Sequence, residues 1–557
     1  MATLQFKGKS AVWNHHLSVP YHTLEKDAKK SLKGTDTEEN LIIEGDNLLA
    51  LKSLLPKYQG RIKCIYIDPP YNTGNEEWVY SDNVNSPTIQ EWIGKIVGKQ
   101  GEDLTRHDKW LCMMTPRLKL LRELLSDDGF IFISIDDTER EHLRCAMDEI
   151  FGEENFVTEF SWIRKKKGAF LSKKMRKMIE YIVCYQKREN DLEFFGEKAY
   201  SDKWQPLVKR TNQEKELYFP ANFVGTTLDD GIYKKGRMSE GETGIELLND
   251  IEVRDGFVVT EMKTKARYVW TQEFLEKEMK AGTEVSLSKK FGFNVLRADQ
   301  NEKFKAPSNL ISKENNVGTN EDASAELASL FDTEIGKIFP YPKPVSLIKY
   351  LIAFYTKDDD IVLDSFAGSG TTAHAVLDKN KEDGGNRKFI LVQLPEEIKK
   401  EAPAYKMGFR WVHEITRERV KRVIAKNKYK TGFTYYTLGS SIDAESILTG
   451  KLPTYKEFAK YVYYLATGKN HPDEKKIKEE DSFVGKTDHQ SVYLIYEKNA
   501  DALKKLAITL DWAQKTHKKD SNKKIVYAPA CYLDDEALEQ FNIKFVSIPY
   551  NLFERAT

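Results

Sequence analysis

Asp68-Pro69-Pro70-Tyr71-Asn72-Thr73-Gly74 sets a carboxylate, two residues of fixed φ, a phenol ring and turn-forming residues within seven positions. These types suit one kind of chemistry. Asp68 and the carbonyl of Pro69 can together accept the hydrogens of an exocyclic amino group, and the prolines hold that acceptor pair at little ordering cost. Tyr71 offers a face on which a planar heterocycle can stack. An amino group on a heteroaromatic ring is a poor nucleophile because its lone pair is delocalised into the ring. Two fixed acceptors on its hydrogens favour a pyramidal, nucleophilic nitrogen. The plain alternative is a surface turn, which Pro-Pro, Asn and Gly make in many proteins. However, the preceding Ile62 to Ile67 is apolar and rich in β-branched residues, and reads as a buried parallel strand. Asp68 then falls at the strand's carboxyl end, where open α/β sheets hold their ligands.

A second element has the same architecture. Asp360 to Leu363 leads into Asp364-Ser365-Phe366-Ala367-Gly368-Ser369-Gly370-Thr371-Thr372, and a helix follows through Ala373 to Leu377. The glycines admit a ligand close to the backbone, and the helix start offers free N–H groups to a carboxylate. A nucleotide phosphate loop would need a Lys before its Ser or Thr, and Gly370 is followed directly by Thr371.

Together the two motifs resemble those of the amino-methyltransferases that act on DNA with S-adenosyl-L-methionine. Asp68 to Tyr71 is similar to their catalytic motif, and Phe366 to Gly370 to their cofactor loop. The catalytic motif comes first and the loop 296 residues later (364 − 68), which resembles the β order, with target-recognition sequence between. The extended motifs resemble adenine-N6 members, above all the modification subunit of type III restriction-modification systems. The resemblance covers about residues 20–190 and 335–440. It implies an α/β, Rossmann-like sheet in permuted order and S-adenosyl-L-methionine as cofactor. It also implies an extruded adenine whose N6 meets Asp68 and the Pro69 carbonyl, with Pro70 fixing the turn and Tyr71 stacked on the base. N4-cytosine methylation and a non-catalytic specificity module stand as alternatives.

Further residues join the site by resemblance. Asp46, after the strand Leu41 to Glu44, corresponds to an acidic position near the cofactor's adenine, is the N-cap of the next helix, or serves as both. In Phe339 to Ser346, similar to the short motif before the cofactor loop, Lys343 could reach the methionine carboxylate and Ser346 could cap the helix from Leu347. A proline-rich linker is the competing reading. Glu396, beyond the strand Phe389 to Leu394, is the choice for the ribose hydroxyls, with Gln393 as competitor.

Composition bounds the rest. With 557 residues the chain should form several domains. No apolar run approaches the ~18 residues of a membrane helix, and the N-terminus lacks a signal peptide's apolar region, so a cytoplasmic protein is expected. Five cysteines (64, 112, 145, 184, 531) without CxxC spacing and ten dispersed histidines predict no metal and no disulfides. Net charge is zero, yet Arg164 to Lys177 holds eight basic residues and no acidic one. Arg164, Lys165, Lys166, Lys167, Lys173 and Lys174 are therefore candidate DNA-phosphate contacts, unless the run is a solvated loop.

Five regions are expected: an arm (1–40), a catalytic half (41–190), a target-recognition region (191–335), a cofactor half (336–440), and a linker with a C-terminal α/β module (441–557). Residues 76–106 read as a long loop over the substrate. The middle region interleaves aromatic and basic residues, as at Lys265-Ala266-Arg267-Tyr268-Val269-Trp270. The tail from Ser491 reads β-α-β-α-β and carries no chemistry, so it serves either contacts or closure of the fold. Double-stranded DNA is the expected partner, with a homodimer and a helicase-nuclease restriction subunit implied by the resemblance.

Overall fold

The computed structural model describes residues 3–35, 37, 39–73, 105–166, 174–196, 204–239, 241, 243–297, 305–442, 452–487 and 489–548. The chain divides into two compact units, one of residues 1–193 with 308–557 and the other of Phe194–Pro307.

The first unit is built on ten strands: β1 (Tyr21–Leu32), β2 (Leu41–Glu44), β3 (Ile62–Ile67), β4 (Leu125–Ile135), β5 (Phe156–Ile163), β6 (Ile179–Gln186), β7 (Leu310–Ile311), β8 (Ile361–Asp364), β9 (Lys388–Gln393) and β10 (Phe433–Ile442). They lie in the order β1-β10-β2-β9-β8-β3-β4-β6-β5-β7. The block from β10 to β4 is parallel, and β6 runs antiparallel to both neighbours. β2, β8 and β9 are short apolar runs because both faces are covered. Side chains of β4 alternate accordingly. Ile131, Ile133 and Ile135 join the core beneath the helices Asn47–Tyr58, Arg106–Leu124 and Arg140–Phe151. Phe130 and Phe132 meet Tyr355 and Phe354 on the other face.

Three expected boundaries move. The 1–40 arm is no loose lead-in: β1 pairs antiparallel with β10 and forms the sheet's edge. Its charged sequence hid it, because an edge strand needs only one apolar face. Residues 308–335 belong to the first unit, since β7 pairs with β5 and the helix Asn320–Phe331 packs on Val412–Asn427. The stretch expected as linker holds the helix Tyr455–Thr467, opened by a Thr454–Glu457 capping box.

The tail is a four-stranded sheet, Phe483–Lys486, Gln490–Leu494, Lys523–Ala528 and Ile543–Ser547 in that order, so one strand precedes the expected three. Its core includes Tyr21 of β1 and Ile442 of β10, and the Tyr21 and Tyr461 rings stack 4.5 Å apart.

The second unit holds a seven-stranded and a four-stranded sheet with the helix Gln272–Lys280, around Leu217, Phe219, Tyr268, Phe293 and Val295. Among the described residues no helix is long and apolar enough to cross a membrane.

Candidate functional site

β3 and β8 are neighbours in register, Cys64 opposite Val362 and Ile65 opposite Leu363. Their carboxyl ends therefore deliver Asp68 and the Asp364 turn side by side. Between them lies a cavity of about 360 Å³, walled by Asp68 to Tyr71, Phe339 to Lys343, Asp364, Phe366 to Ser369, Thr371, Arg164, Lys165 and Glu180. Two buried oxygens of its lining residues, Asp68 Oδ1 and Asn320 Oδ1, have no hydrogen-bond partner. A buried acceptor without a donor is costly, so both suit a ligand that donates.

The Asp68 loop is held rigidly. Trp110 Nε1 donates to the Pro70 carbonyl at 2.7 Å. Asn72 sits at φ 59°, and its amide donates to the Arg106 carbonyl at 3.1 Å and to Glu139. Lys343 Nζ donates to Asp68 Oδ2 at 2.6 Å and to the Tyr71 hydroxyl at 2.9 Å, and lies 3.6 Å from Glu180 Oε2. Tyr71 donates in turn to Glu180 at 3.3 Å, and Arg164 to the other Glu180 oxygen at 2.5 Å. Burial raises the Asp68 carboxyl above the ordinary range, with the Lys343 ammonium opposing it. Burial alone would lower Lys343, but the Asp68 and Glu180 carboxylates outweigh it and hold the ammonium charged.

The glycine turn is equally constrained. Gly368 has φ 50° and Gly370 φ 80°, values L side chains rarely adopt. A Cβ on Gly370 would lie 3.0 Å from the Thr416 carbonyl, and one on Gly368 3.4 Å from the Phe339 ring. Gln393 Oε1 takes the Gly368 N–H at 2.6 Å, and Thr416 donates to the Gly368 carbonyl at 2.6 Å. Beneath the turn a fully buried Arg419 donates to the Ser369 and Thr371 hydroxyls, both at 2.8 Å. Asp364 accepts from the Phe366 N–H and the Thr372 hydroxyl, yet burial pushes its carboxyl up to about 7. A backbone turn, the Thr371 helix start and the Phe339 and Phe366 rings fit a cofactor with a carboxylate and a flat heterocycle.

The structure places the other expected residues as follows. Asp46 caps the Asn47–Tyr58 helix through the Leu48 and Leu49 N–H groups and meets Arg117 at 3.3 Å; it is absent from the cavity wall. Lys343 is engaged by Asp68 rather than by the glycine turn. Ser346 caps nothing: its helix starts at Val345, and its hydroxyl accepts from the Gly318 N–H at 2.9 Å. Glu396 lies off the cavity wall, and Gln393 at the strand's end braces Gly368. Arg164 and Lys166 are ion-paired, with Glu180 and Asp322, while Lys174 is exposed. Lys167, Lys173, Gly74 and nearly all of the expected 76–106 loop lie outside the described residues. The histidines are not all dispersed, because His107 and His142 converge on Glu139.

Glu180, Trp110 and Arg419 are new to the site. Glu180 had a signal, a lone charge inside the apolar run Met178 to Cys184. Arg419 had none, being one of several bases on a basic helix.

A family model described as DNA methylase matches residues 62–404, more than half of the chain. The type III restriction-modification enzyme StyLTI Mod subunit of Salmonella typhimurium is 34% identical over 73% of this chain and 60% of its own length. The EcoPI Mod subunit of Escherichia phage P1 is 31% identical over 74% and 68%. The type II methyltransferase M.KpnI of Klebsiella pneumoniae is 31% identical over 71% and 90%. The chain thus spans about three fifths to two thirds of the Mod subunits. The match reaches from β3 past β9 and takes in both walls of the cavity, and it identifies the chain as a member of the DNA methylase family.

Proposed function

We propose that the chain transfers a methyl group from S-adenosyl-L-methionine to N6 of adenine in double-stranded DNA. One observation carries the reading: a single cavity has the Asp68 carboxylate on one wall and the Gly368 turn on the other. An amino group inside a duplex cannot reach Asp68, so the base must be extruded. The Tyr71 ring then supports its face, and Asp68 with the Pro69 carbonyl receives the N6 hydrogens. When bound, the cofactor supplies a methyl group activated by its sulfonium. The chain's own contribution is position and charge. The proton lost from N6 has Asp68 at hand, a carboxylate whose proton affinity burial raises. Lys343 and Arg164 offset Asp68 and Glu180, which keeps the buried cluster near neutral.

The Phe194–Pro307 unit is proposed as the target-recognition part, and Lys174 with its exposed basic neighbours as phosphate contacts. A homodimer serving a restriction subunit is the proposed assembly, and the subunit part of it is in line with relatives named as Mod subunits of restriction-modification enzymes. A stand-alone type II methyltransferase is the second reading, favoured by the 90% of M.KpnI that the chain covers. Incubation with duplex DNA and methyl-labelled cofactor, then digestion to nucleosides, tests the proposal. Label in N6-methyldeoxyadenosine supports it, label in N4-methyldeoxycytidine turns it to the other amino target, and unlabelled DNA refutes it.

A further inference from the structure

Glu139 precedes the Arg140–Phe151 helix and has no exposed surface, yet no step above uses it. Its Oε1 takes His107 Nδ1 at 2.8 Å together with the Asn72 amide, and its Oε2 takes His142 Nδ1 at 2.8 Å. With the carboxylate oxygens as acceptors, N–H is assigned to Nδ1 of both rings. The two imidazoles lie 4.7 Å apart and are about one third exposed, covering the carboxylate between them. Two histidines and a carboxylate also suggest a cation site. The Arg106 carbonyl orients the Asn72 amide as a donor, so at least one lone pair of Oε1 serves the Asp68 loop, and metal binding by the remaining acceptors is kept as an outcome of the test below.

The cluster's importance lies in what Asn72 does. It follows Tyr71 directly and holds φ 59°, a conformation Asn tolerates better than most residues but still uncommon. Its side chain is the link between the end of the Asp68 loop and the two helices that carry His107 and His142. Trp110 on the Pro70 carbonyl is a second tether. Lys343 and Glu180 hold the Asp68 and Tyr71 side chains, so loss of the Asn72 link loosens the backbone that carries them rather than freeing them outright.

We infer that Glu139, steadied by His107 and His142, is a positioning residue that sets Tyr71 and Asp68 through Asn72. The inference rests on the methyltransferase reading for its kinetic part only. The test uses the full-length protein with Glu139→Gln, Glu139→Ala and Asn72→Ala. The Ala variant should lower kcat about 100-fold with cofactor affinity unchanged, the size expected when reacting groups shift by about 1 Å. The Gln variant, which keeps the volume and one acceptor, should lose about tenfold. Glu139→Gln combined with Asn72→Ala should be no slower than Asn72→Ala alone, because both break one link. Independently of turnover, hydrogen exchange at Asp68, Tyr71, Asn72 and Thr73 should rise in Glu139→Gln. Unchanged exchange there, multiplying kinetic effects, or one divalent metal ion per wild-type chain that Glu139→Gln loses would each overturn the inference. Raised exchange in a chain that methylates nothing would keep the tether and refute the enzymatic reading instead.

Discussion

The Lys343 ammonium lies 2.6 Å from Oδ2 of Asp68, although 275 residues separate the two in sequence. The carboxylate proposed to receive an amino group is thus already matched to a cation. That pairing has a measurable consequence. Burial raises the Asp68 carboxyl, with Lys343 opposing and Glu180 adding to the rise. Asp68 can accept its N6 hydrogen and then take up the proton only as a carboxylate, so activity falls as pH drops through its pKa. Lys343→Met removes the opposing charge, and the acid limb of kcat/KM should move to higher pH. A limb that stays in place would show that Lys343 does not govern Asp68.

Asp364 gives a stability prediction. Burial raises its carboxyl to about 7, so the folded chain binds its proton more tightly than the unfolded chain does. The stability this contributes is full below the ordinary carboxylate value and is lost as pH rises towards about 7. Wild-type stability should therefore decline relative to Asp364→Asn across that window, by up to about 4 kcal/mol. Urea unfolding at several pH values measures the difference, and a gap independent of pH contradicts the assignment.

Gly368→Leu should fold and lose cofactor affinity, since the new side chain starts at φ 50° beside Phe339 and enters the cavity. Gly370→Ala should instead lower stability, because its Cβ meets the Thr416 carbonyl at 3.0 Å. Calorimetry with S-adenosyl-L-methionine and thermal melts separate the two. Unchanged affinity in a folded Gly368→Leu variant refutes the first.

Recognition should divide between the two units. Exchange of Phe194–Pro307 with a relative's segment should change the methylated motif. Lys174→Ala with Arg176→Ala should weaken cognate and non-cognate DNA alike and flatten the salt slope by about 2. Both residues are exposed. A changed motif in the double variant, or an unchanged one after the exchange, contradicts this division.

Truncation at Lys486 should give insoluble protein. The cut removes Val492, Leu494, Ile525 and Tyr527 from a core that also holds Tyr21, Ile442 and Tyr461. A soluble, active truncation would make the tail a detachable module.

Much of this was legible in sequence wherever an apolar run ended in a special turn. β3 with Asp68 and β8 with the glycine loop carry their own start, stop and chemistry, and neighbouring strands bring them together. What could not be read was long-range pairing. Nothing in the Lys343 segment distinguishes a partner in Asp68 from a ligand carboxylate, because both are acceptors. Asp46 satisfied two readings, and only geometry shows its oxygen on the Leu48 and Leu49 N–H groups. β1 escaped because an edge strand tolerates charge, and Arg419 because its burial depends on a loop 50 residues earlier.

The central claim is that Asp68 receives an adenine amino group for methyl transfer. Its most direct test compares wild type with Asp68→Ala on duplex DNA free of methylated bases, measuring N6-methyldeoxyadenosine by mass spectrometry and cofactor binding by calorimetry. The account predicts accumulation with wild type, and none above background with a variant that binds the cofactor normally. Wild-type levels of N6-methyldeoxyadenosine from Asp68→Ala would contradict it.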